Sequence, residues 1–243
     1  MTGDSRKRIS PGLLASGFHP CAYLADRTAR TVVVDPGFPI NNRAYSELLR
    51  RGMRRSGSHI YSPACPSCRS CQSLRIPVDT FQPRRRQRRC WQHNADLTAS
   101  MVTPGFSVEH FSLYRRYLLA RHPGDGMDDH GPDDYLDFLV APWSDTRFVE
   151  FRLHGTLLAV AVIDVVEDGF SAVYTFFDPQ FTRRGLGTYA ILWQIDAARR
   201  YALDHVYLGY WIAESEKMRY KADFSPCEVY RERSWQPLCR NTD

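Results

Sequence analysis

A chain of 243 residues with 43% hydrophobic and 24% charged residues can bury a real core, as one large domain or two modest ones, which excludes a disordered or fibrous protein. Its net charge of +5 hides an asymmetry. The first hundred residues hold 17 of the 32 Lys/Arg but 6 of the 27 Asp/Glu, so a basic front (+11) precedes an acidic remainder (−6), which suits either a docked polyanion or a solvated basic surface. The opening "MTGDSRKRISPGLL" has no apolar segment of export-signal length. The longest apolar run, "TLLAVAVIDVV", carries an Asp and is too short to span a bilayer, so a cytoplasmic protein with no membrane contact is expected.

In chain order, residues 1–100 read as a smaller, irregular N-terminal domain: a strand at "RTVVVD", a helix at "NRAYSELLRRG", then a cysteine segment and the basic run "PRRRQRRCWQHN". "ASMVTPGF" reads as a hinge. "SVEHFSLYRRYLLARH" has helical spacing, with Phe111, Tyr114, Leu118 and His122 on one side, and Asp133 is the expected N-cap of a short helix after a polar loop. Residues 101–243 form the second domain. Within it "TRFVEFRL", "TLLAVAVIDVV" and "FSAVYTFFD" are three strands joined by the turns "HG" and "EDG". A helix follows with Ile191, Leu192, Ile195, Ala198 and Ala202 as its buried stripe, then the strand "HVYLGYWI" and a last helix "ESEKMRYKADF" stopped by "SP". This order predicts an α+β mixed sheet, not a doubly wound parallel one.

Between the third strand and the helix lies "DPQFTRRGLGTYA". Glycines at a helix start let backbone N–H groups approach an anion, the helix dipole favours it, and Arg183 and Arg184 add charge. "GLGTYA" matches a dinucleotide fingerprint, but that motif comes straight off the first strand of a parallel unit and is followed by an acidic residue ending the next strand. Here seven residues intervene, the strands form a meander, and Asp204 precedes the next strand. The arrangement instead resembles the pyrophosphate loop of GCN5-related N-acyltransferases. That resemblance implies a splayed strand pair, "AVYTFF" against "HVYLGYW", in whose slot an amine meets an activated acyl group.

Seven cysteines without an export signal argue against a disulfide framework. "CPSCRSC" places Cys65, Cys68 and Cys71 at C-x2-C-x2-C, close enough to share one ion, with Cys21 as candidate fourth ligand. A structural zinc and an iron–sulfur cluster both suit such thiols. Cys90, Cys227 and Cys239 are isolated and read as core or surface residues. The basic run packs five arginines into positions 84 to 89 beside Trp91, a pattern for neutralising phosphates and stacking an unpaired base.

Four segments in order, "GMRRSGSHIYSPACPSCRSCQSLRIPV", "RYLLARHPGDGM", "AVYTFFDPQFTRRGLGTYAILWQI" and "VYLGYWIAESEKMRYKADFSP", resemble the arginyl-tRNA–protein transferase family, and the length and three-cysteine form resemble its bacterial, leucine-transferring branch. The resemblance runs from Cys21 to about Trp235. It implies transfer of an aminoacyl group, leucyl in that branch, from leucyl-tRNA to the α-amine of proteins beginning with Asp or Glu, marking them for degradation by the N-end rule. No cofactor is needed for that transfer, and a monomer is expected. Nothing in the side chains themselves separates leucyl from arginyl-tRNA as donor. A coenzyme A-dependent N-acetyltransferase and a metal-knuckle RNA-binding protein are the rival readings, with Thr182 a mark against the former.

An aminoacyl ester is already activated, so the site mainly aligns amine and carbonyl. Backbone N–H groups of Tyr174, Thr175 and Phe176 at the splayed edge are the candidate oxyanion donors, and Tyr174, Tyr207 or Tyr210 the candidates to pass a proton. Arg183, Arg184, Gly185, Gly187 and Thr188 are expected to cradle the phosphates of the tRNA acceptor end. Lys217 and Lys221, four apart in the segment "KMRYK" with Tyr220, are expected on one helical face to meet the acceptor's carboxylate, with Arg54, Arg55 and Ser56 of "RRSG" as second candidates for acceptor or tRNA.

Overall fold

The computed structural model describes residues 11–121 and 130–238, so His122 and Cys239 lie outside the described residues. Short strands β1 (Leu13–Ala15), β2 (His19–Pro20), β3 (Thr28–Ala29) and β4 (Thr31–Val34) precede helix α1 (Asn42–Arg50). The hairpin β5 (Arg54–Ser56) and β6 (His59–Pro63) then leads to β7 (Gln72–Pro77), α2 (Arg85–His93) and β8 (Thr98–Val102). Helices α3 (Val108–Arg121) and α4 (Pro132–Leu139) are followed by the meander β9 (Asp145–Leu153), β10 (Thr156–Val166) and β11 (Gly169–Phe177). The chain closes with α5 (Leu186–Arg200), β12 (His205–Trp211), α6 (Glu216–Arg219), β13 (Glu228–Arg231) and β14 (Ser234–Pro237). The fold is α+β, with an eight-stranded mixed sheet ordered β14-β13-β7-β12-β11-β10-β9-β8 and a four-stranded sheet ordered β1-β4-β6-β5.

Strand β10 explains the apolar run that contains an aspartate. It is paired on both edges, by β9 and β11, and packed on both faces. Ala159, Ala161 and Ile163 pack with α5, while Val160 and Val162 pack with α3 and α4, the alternation that a strand's period of two imposes. A third cluster seats α1 of the N-terminal part on the sheet through Tyr45, Leu48, Leu49, Val166 and Tyr207.

Three local expectations are corrected. Asp133 lies in the first turn of α4, and the N-cap is Gly131, whose N–H donates to Asp134 Oδ2 at 2.9 Å. Ala202 lies beyond the end of α5, exposed and at φ 54°, because that helix stops at Arg200. The last helix is a single turn, α6, continued by a 3-10 turn at Tyr220–Asp223.

Residue 100, the expected division, falls inside β8, and β7 and β8 are both strands of the large sheet. β7 pairs antiparallel with β12 from His205↔Pro77 to Trp211↔Gln72. By contrast β11 and β12 pair in parallel only over Gly169–Ser171 and His205–Tyr207. Beyond that point β12 follows β7 and parts from β11, so the strand from the basic front opens the slot in the sheet.

Candidate active site

Two features converge near this divergence. The first is the slot itself. From Ala172 to Phe177 the edge of β11 that faced β12 has no strand partner among the described residues. Arg54, on β5, enters where the ladder stops: its Nη1 donates to Ser171 Oγ at 3.0 Å and its Nη2 to the Ala172 carbonyl at 2.6 Å. On the other side it lies against Gly209, where φ is +80° and an added Cβ would stand 3.1 Å from Arg54 Nε. Glycine is needed there both for the left-handed backbone and for the close approach of the guanidinium.

Lys221 lies on the β12 side of the divergence. Its Nζ donates to the Tyr210 carbonyl at 2.6 Å and lies 3.7 Å from Met218 Sδ, and the residue is only 8% exposed. Burial, and after it the charge of Arg54, pull this amine down to about 7. Lys217 is exposed, so the two lysines do not share one face: the 3-10 turn after α6 rotates Lys221 inward. The expected proton-passing tyrosines are engaged elsewhere. The Tyr210 hydroxyl has the Tyr61 and Gly52 carbonyls as acceptors within reach, at 3.1 and 3.3 Å, and the Tyr207 hydroxyl donates to Asp168. Burial pushes both phenols up. Tyr174 lies half-buried against Tyr114, Tyr117 and Phe138, with ring centroids 5.2 to 6.2 Å apart. Thr175 and Phe176 pair with Ala161 and Val160 on β10.

Arg55 is not available to a substrate. Its side chain is 1% exposed and clamps Asp164 through Nε (2.6 Å) and Nη2 (2.7 Å), with further bonds to the carbonyls of Gly57 and Leu139. Asp164 also accepts from the Tyr45 and Thr146 hydroxyls. The pair therefore ties the N-terminal part to the centre of the large sheet. Ser56, the third residue of that motif, is exposed at the tip of the β5–β6 hairpin.

The second feature is a basic basin of about 560 Å³ between α2 and the start of α5. Arg84, Arg86, Arg89 and His93 line one wall, and Arg183, Arg184, Gly185 and Thr188 the other. The arginine block forms this wall because α2 is two-sided. Gln87, Cys90, Trp91 and Asn94, at helical spacing, turn inward, which leaves all five arginines exposed. Asn94 Nδ2 donates to the Arg184 carbonyl at 2.8 Å, and Cys90 Sγ lies 3.5 Å from the Gly185 carbonyl oxygen. Gly185, at φ +65°, is the N-cap of α5, and an added Cβ would stand 3.3 Å from Cys90 Sγ. Trp91, expected to stack on a base, instead packs on Tyr189 with centroids 5.3 Å apart. Gly187 lies against Phe177. Arg184 is held bidentately by Asp96 at 2.8 and 2.9 Å, while no carboxylate among the described residues pairs with Arg84, Arg86, Arg89 or Arg183. Tyr220, 45% exposed, stands in the basin wall, and the next residue is Lys221 of the slot. Tyr220 of the basin wall and Lys221 beside the strand divergence are thus neighbours in sequence.

The four thiols Cys21, Cys65, Cys68 and Cys71 are all half-buried and reduced. Burial pushes the Cys71 thiol up to about 11, and Cys21, Cys65 and Cys68 each add to it, so the four are neighbours. Among the described residues no three His, Cys, Asp or Glu side chains are arranged as a metal-holding group.

A family model described as Arginine-tRNA-protein transferase, N terminus, matches residues 19–89, and its counterpart, Arginine-tRNA-protein transferase, C terminus, matches residues 109–231. The chain belongs to the arginine-tRNA-protein transferase family. Among curated members, the aspartate/glutamate leucyltransferase of Alkalilimnicola ehrlichii is 53% identical over 222 residues, covering 91% of this chain and 93% of that one. The enzyme of the same name from Nitrosococcus oceani is 50% identical over 220 residues, covering 90% and 92%. Among solved structures, a C-terminal domain from Agrobacterium fabrum assigned to the lysylphosphatidylglycerol synthetases superposes with a TM-score of 0.51 at 15% identity, covering 70% of this chain and 58% of that one. At that identity the likeness speaks for the fold of this transferase alone.

Proposed function

We propose that this chain transfers leucine from leucyl-tRNA to the α-amine of proteins that begin with Asp or Glu, on a sheet of the GCN5-related acyltransferase kind. The observation that carries the reading is the adjacency of a basin of exposed arginines to a slot between parting strands. Both are framed by the family's own segments, and the relatives named for this activity are about 50% identical over nine-tenths of the chain.

In this reading the acceptor-end phosphates lie in the basin. Guanidinium forks and the N–H groups at the start of α5 bind them, and the positive end of the helix dipole adds to the attraction. The 3′-terminal ester then reaches the slot past Tyr220. The ester is activated by its own chemistry, so the gain comes from holding amine and carbonyl within reach of each other. A free α-amine has a pKa of roughly 8, so a useful fraction is already neutral at pH 7. Those backbone N–H groups within Tyr174–Phe176 that face the unpaired edge of β11, which alternate with the ones bonded to β10, supply hydrogen bonds to the developing oxyanion. Lys217, exposed on α6, is the cation for the acceptor's carboxylate.

The transfer step needs no cofactor. The C-x2-C-x2-C thiols with Cys21 are proposed, on their spacing, to take a structural zinc or an iron–sulfur cluster, which would have to draw them together from the arrangement described above; metal analysis of protein purified without air reads which. The product's new N-terminal leucine marks it for degradation, and the enzyme acts as a cytoplasmic monomer. No helix among the described residues is long and apolar enough to cross a membrane.

One assay decides between substrates: labelled leucyl-tRNA, arginyl-tRNA and acetyl-coenzyme A, each offered with a peptide beginning with Asp. Label is expected on the peptide from leucyl-tRNA. Acetyl label, or none from any donor, overturns the proposal.

A further inference from the structure

Lys221 is a buried amine with no carboxylate paired to it among the described residues, an arrangement that costs free energy unless the group stays neutral. The charged and titratable groups around it come from three elements. Arg54 reaches in from β5. Tyr207 and Tyr210 belong to β12; the Tyr207 hydroxyl is bonded to Asp168, and that of Tyr210 has the Tyr61 and Gly52 carbonyls within reach. Lys217, Arg219 (paired with Glu216), Tyr220 and Asp223 belong to α6 and the turn after it. Of these, Arg54 is the charge that acts on the amine.

The two cations occupy corresponding places on the two sides of the gap. Arg54 holds the carbonyl of Ala172, the first residue of β11 past the paired stretch. Lys221 holds the carbonyl of Tyr210, on β12 beyond its last pair with β11. Each carbonyl lies past the stretch where β11 and β12 pair, and each is met by a side chain from outside the β11–β12 pair. An ammonium meant only to bind a carboxylate gains nothing from such burial, whereas an amine meant to take up and release a proton gains a great deal.

We propose that Lys221 is the proton carrier of the acyl transfer, with Arg54, bonded to Ser171 and Ala172 on the far side of the gap, acting on it as a neighbouring cation. The inference rests on the transfer reaction proposed above. The neutral α-amine attacks the ester carbonyl, forming the C–N bond and an adduct with a positive nitrogen and a negative oxygen. Lys221 takes one proton from that nitrogen. The carbonyl re-forms, the C–O bond to the terminal ribose breaks, and Lys221 returns the proton to the departing oxygen. The lysine ends neutral, the product is an amide, and the tRNA leaves with a free hydroxyl. Burial, with the charge of Arg54 added to it, favours the uncharged amine before attack, and the repulsion of Arg54 hastens return of the proton afterwards.

The chain has lysine only at positions 7, 217 and 221, so protein labelled with 13C at the lysine ε-carbon gives three signals to titrate by NMR. One signal is expected to titrate near pH 7, to vanish in Lys221→Arg, and to move up in Arg54→Met. In single-turnover transfer from leucyl-tRNA to an Asp-starting peptide, Lys221→Met is expected to lower the rate by about 100-fold or more while tRNA binding is retained. In the pH–rate profile of that transfer the acceptor amine titrates in every variant, so the limb that belongs to Lys221 is the one that shifts in Arg54→Met. Lys221→Arg, close in length but permanently charged, provides the same test if the methionine variant fails to fold. A Lys221 signal titrating above about 9, or either variant transferring within about 3-fold of wild type, overturns the carrier alone. A wild type that transfers no leucine overturns the parent reading and the carrier with it.

Discussion

Two groups of arginines in this molecule are built in opposite ways. Four of the five that line the basin, Arg84, Arg86, Arg89 and Arg183, stand exposed around an open concavity with no carboxylate pairing among the described residues. Arg54 and Arg55, adjacent on β5, are 7% and 6% exposed, and each is committed to partners inside the sheet. An exposed, unmatched guanidinium keeps its hydration until an anion replaces it, so it is a site for phosphate. A buried one is tolerated only with its partners fixed, so it is not a site for phosphate. Charge counting treats both groups alike, and only burial separates them.

Breaking the buried group has the largest expected effect. Arg55→Met leaves Asp164 charged at 0% exposure with only hydroxyls to bond it. Removing one partner of such a pair costs about 3–5 kcal/mol, read as a fall in the urea midpoint. The double variant Arg55→Met/Asp164→Leu is expected to recover most of that loss, because no charge is then left stranded. If the single variant loses less than about 1 kcal/mol, the pair is not what ties the front of the chain to β10.

The exposed group responds in the other way. Arg86→Gln, Arg89→Gln and Arg183→Gln combined are expected to leave the urea midpoint unchanged and to weaken tRNA binding by about 100-fold near physiological salt. The slope of log affinity against log salt should become shallower by about 2 to 3, since each phosphate contact contributes somewhat under one unit. A lost midpoint with intact binding would invert the contrast between the two groups.

Much of the C-terminal half was legible from local pattern. β9, β10, β11, α5 and β12 follow from alternation, turns and helical spacing within each segment, and the glycine loop lies where its sequence puts it. What was illegible depends on contacts far along the chain. β7 is a sheet strand because it pairs with β12, about 130 residues later, and nothing in "SLRIPV" announces that partner. The "RRSG" motif looks like a surface cation pair because the carboxylate that buries Arg55 sits 109 residues away in an apolar run. An aspartate inside such a run was the signal available for a buried ion pair. Lys217 and Lys221 look equivalent at a spacing of four, and the 3-10 turn that separates their environments leaves no mark in composition. Trp91 was read from its neighbours in sequence, whereas the spacing of Gln87, Cys90, Trp91 and Asn94 already placed it on the inward side of α2.

Arg184 lies between the two groups, and it gives the smallest and sharpest test. It lines the basin, yet Asp96 holds it through both Nη atoms, and that bonding keeps the Asp96 carboxyl below the usual range. Asp96 is exposed, so the pair adds little to stability, and its consequence falls on binding: a neutralised guanidinium contributes less to the field a polyanion meets. Asp96→Asn is therefore expected to tighten tRNA binding by about 2- to 5-fold at low salt, with the gain shrinking as salt is raised, and to leave the melting temperature in place. By the same reasoning Arg184→Gln should weaken binding less than Arg183→Gln, because it removes a cation whose charge is already matched. Equal losses from the two would mean that Asp96 releases Arg184 when RNA arrives, and the basin would then have five phosphate-binding arginines in place of four.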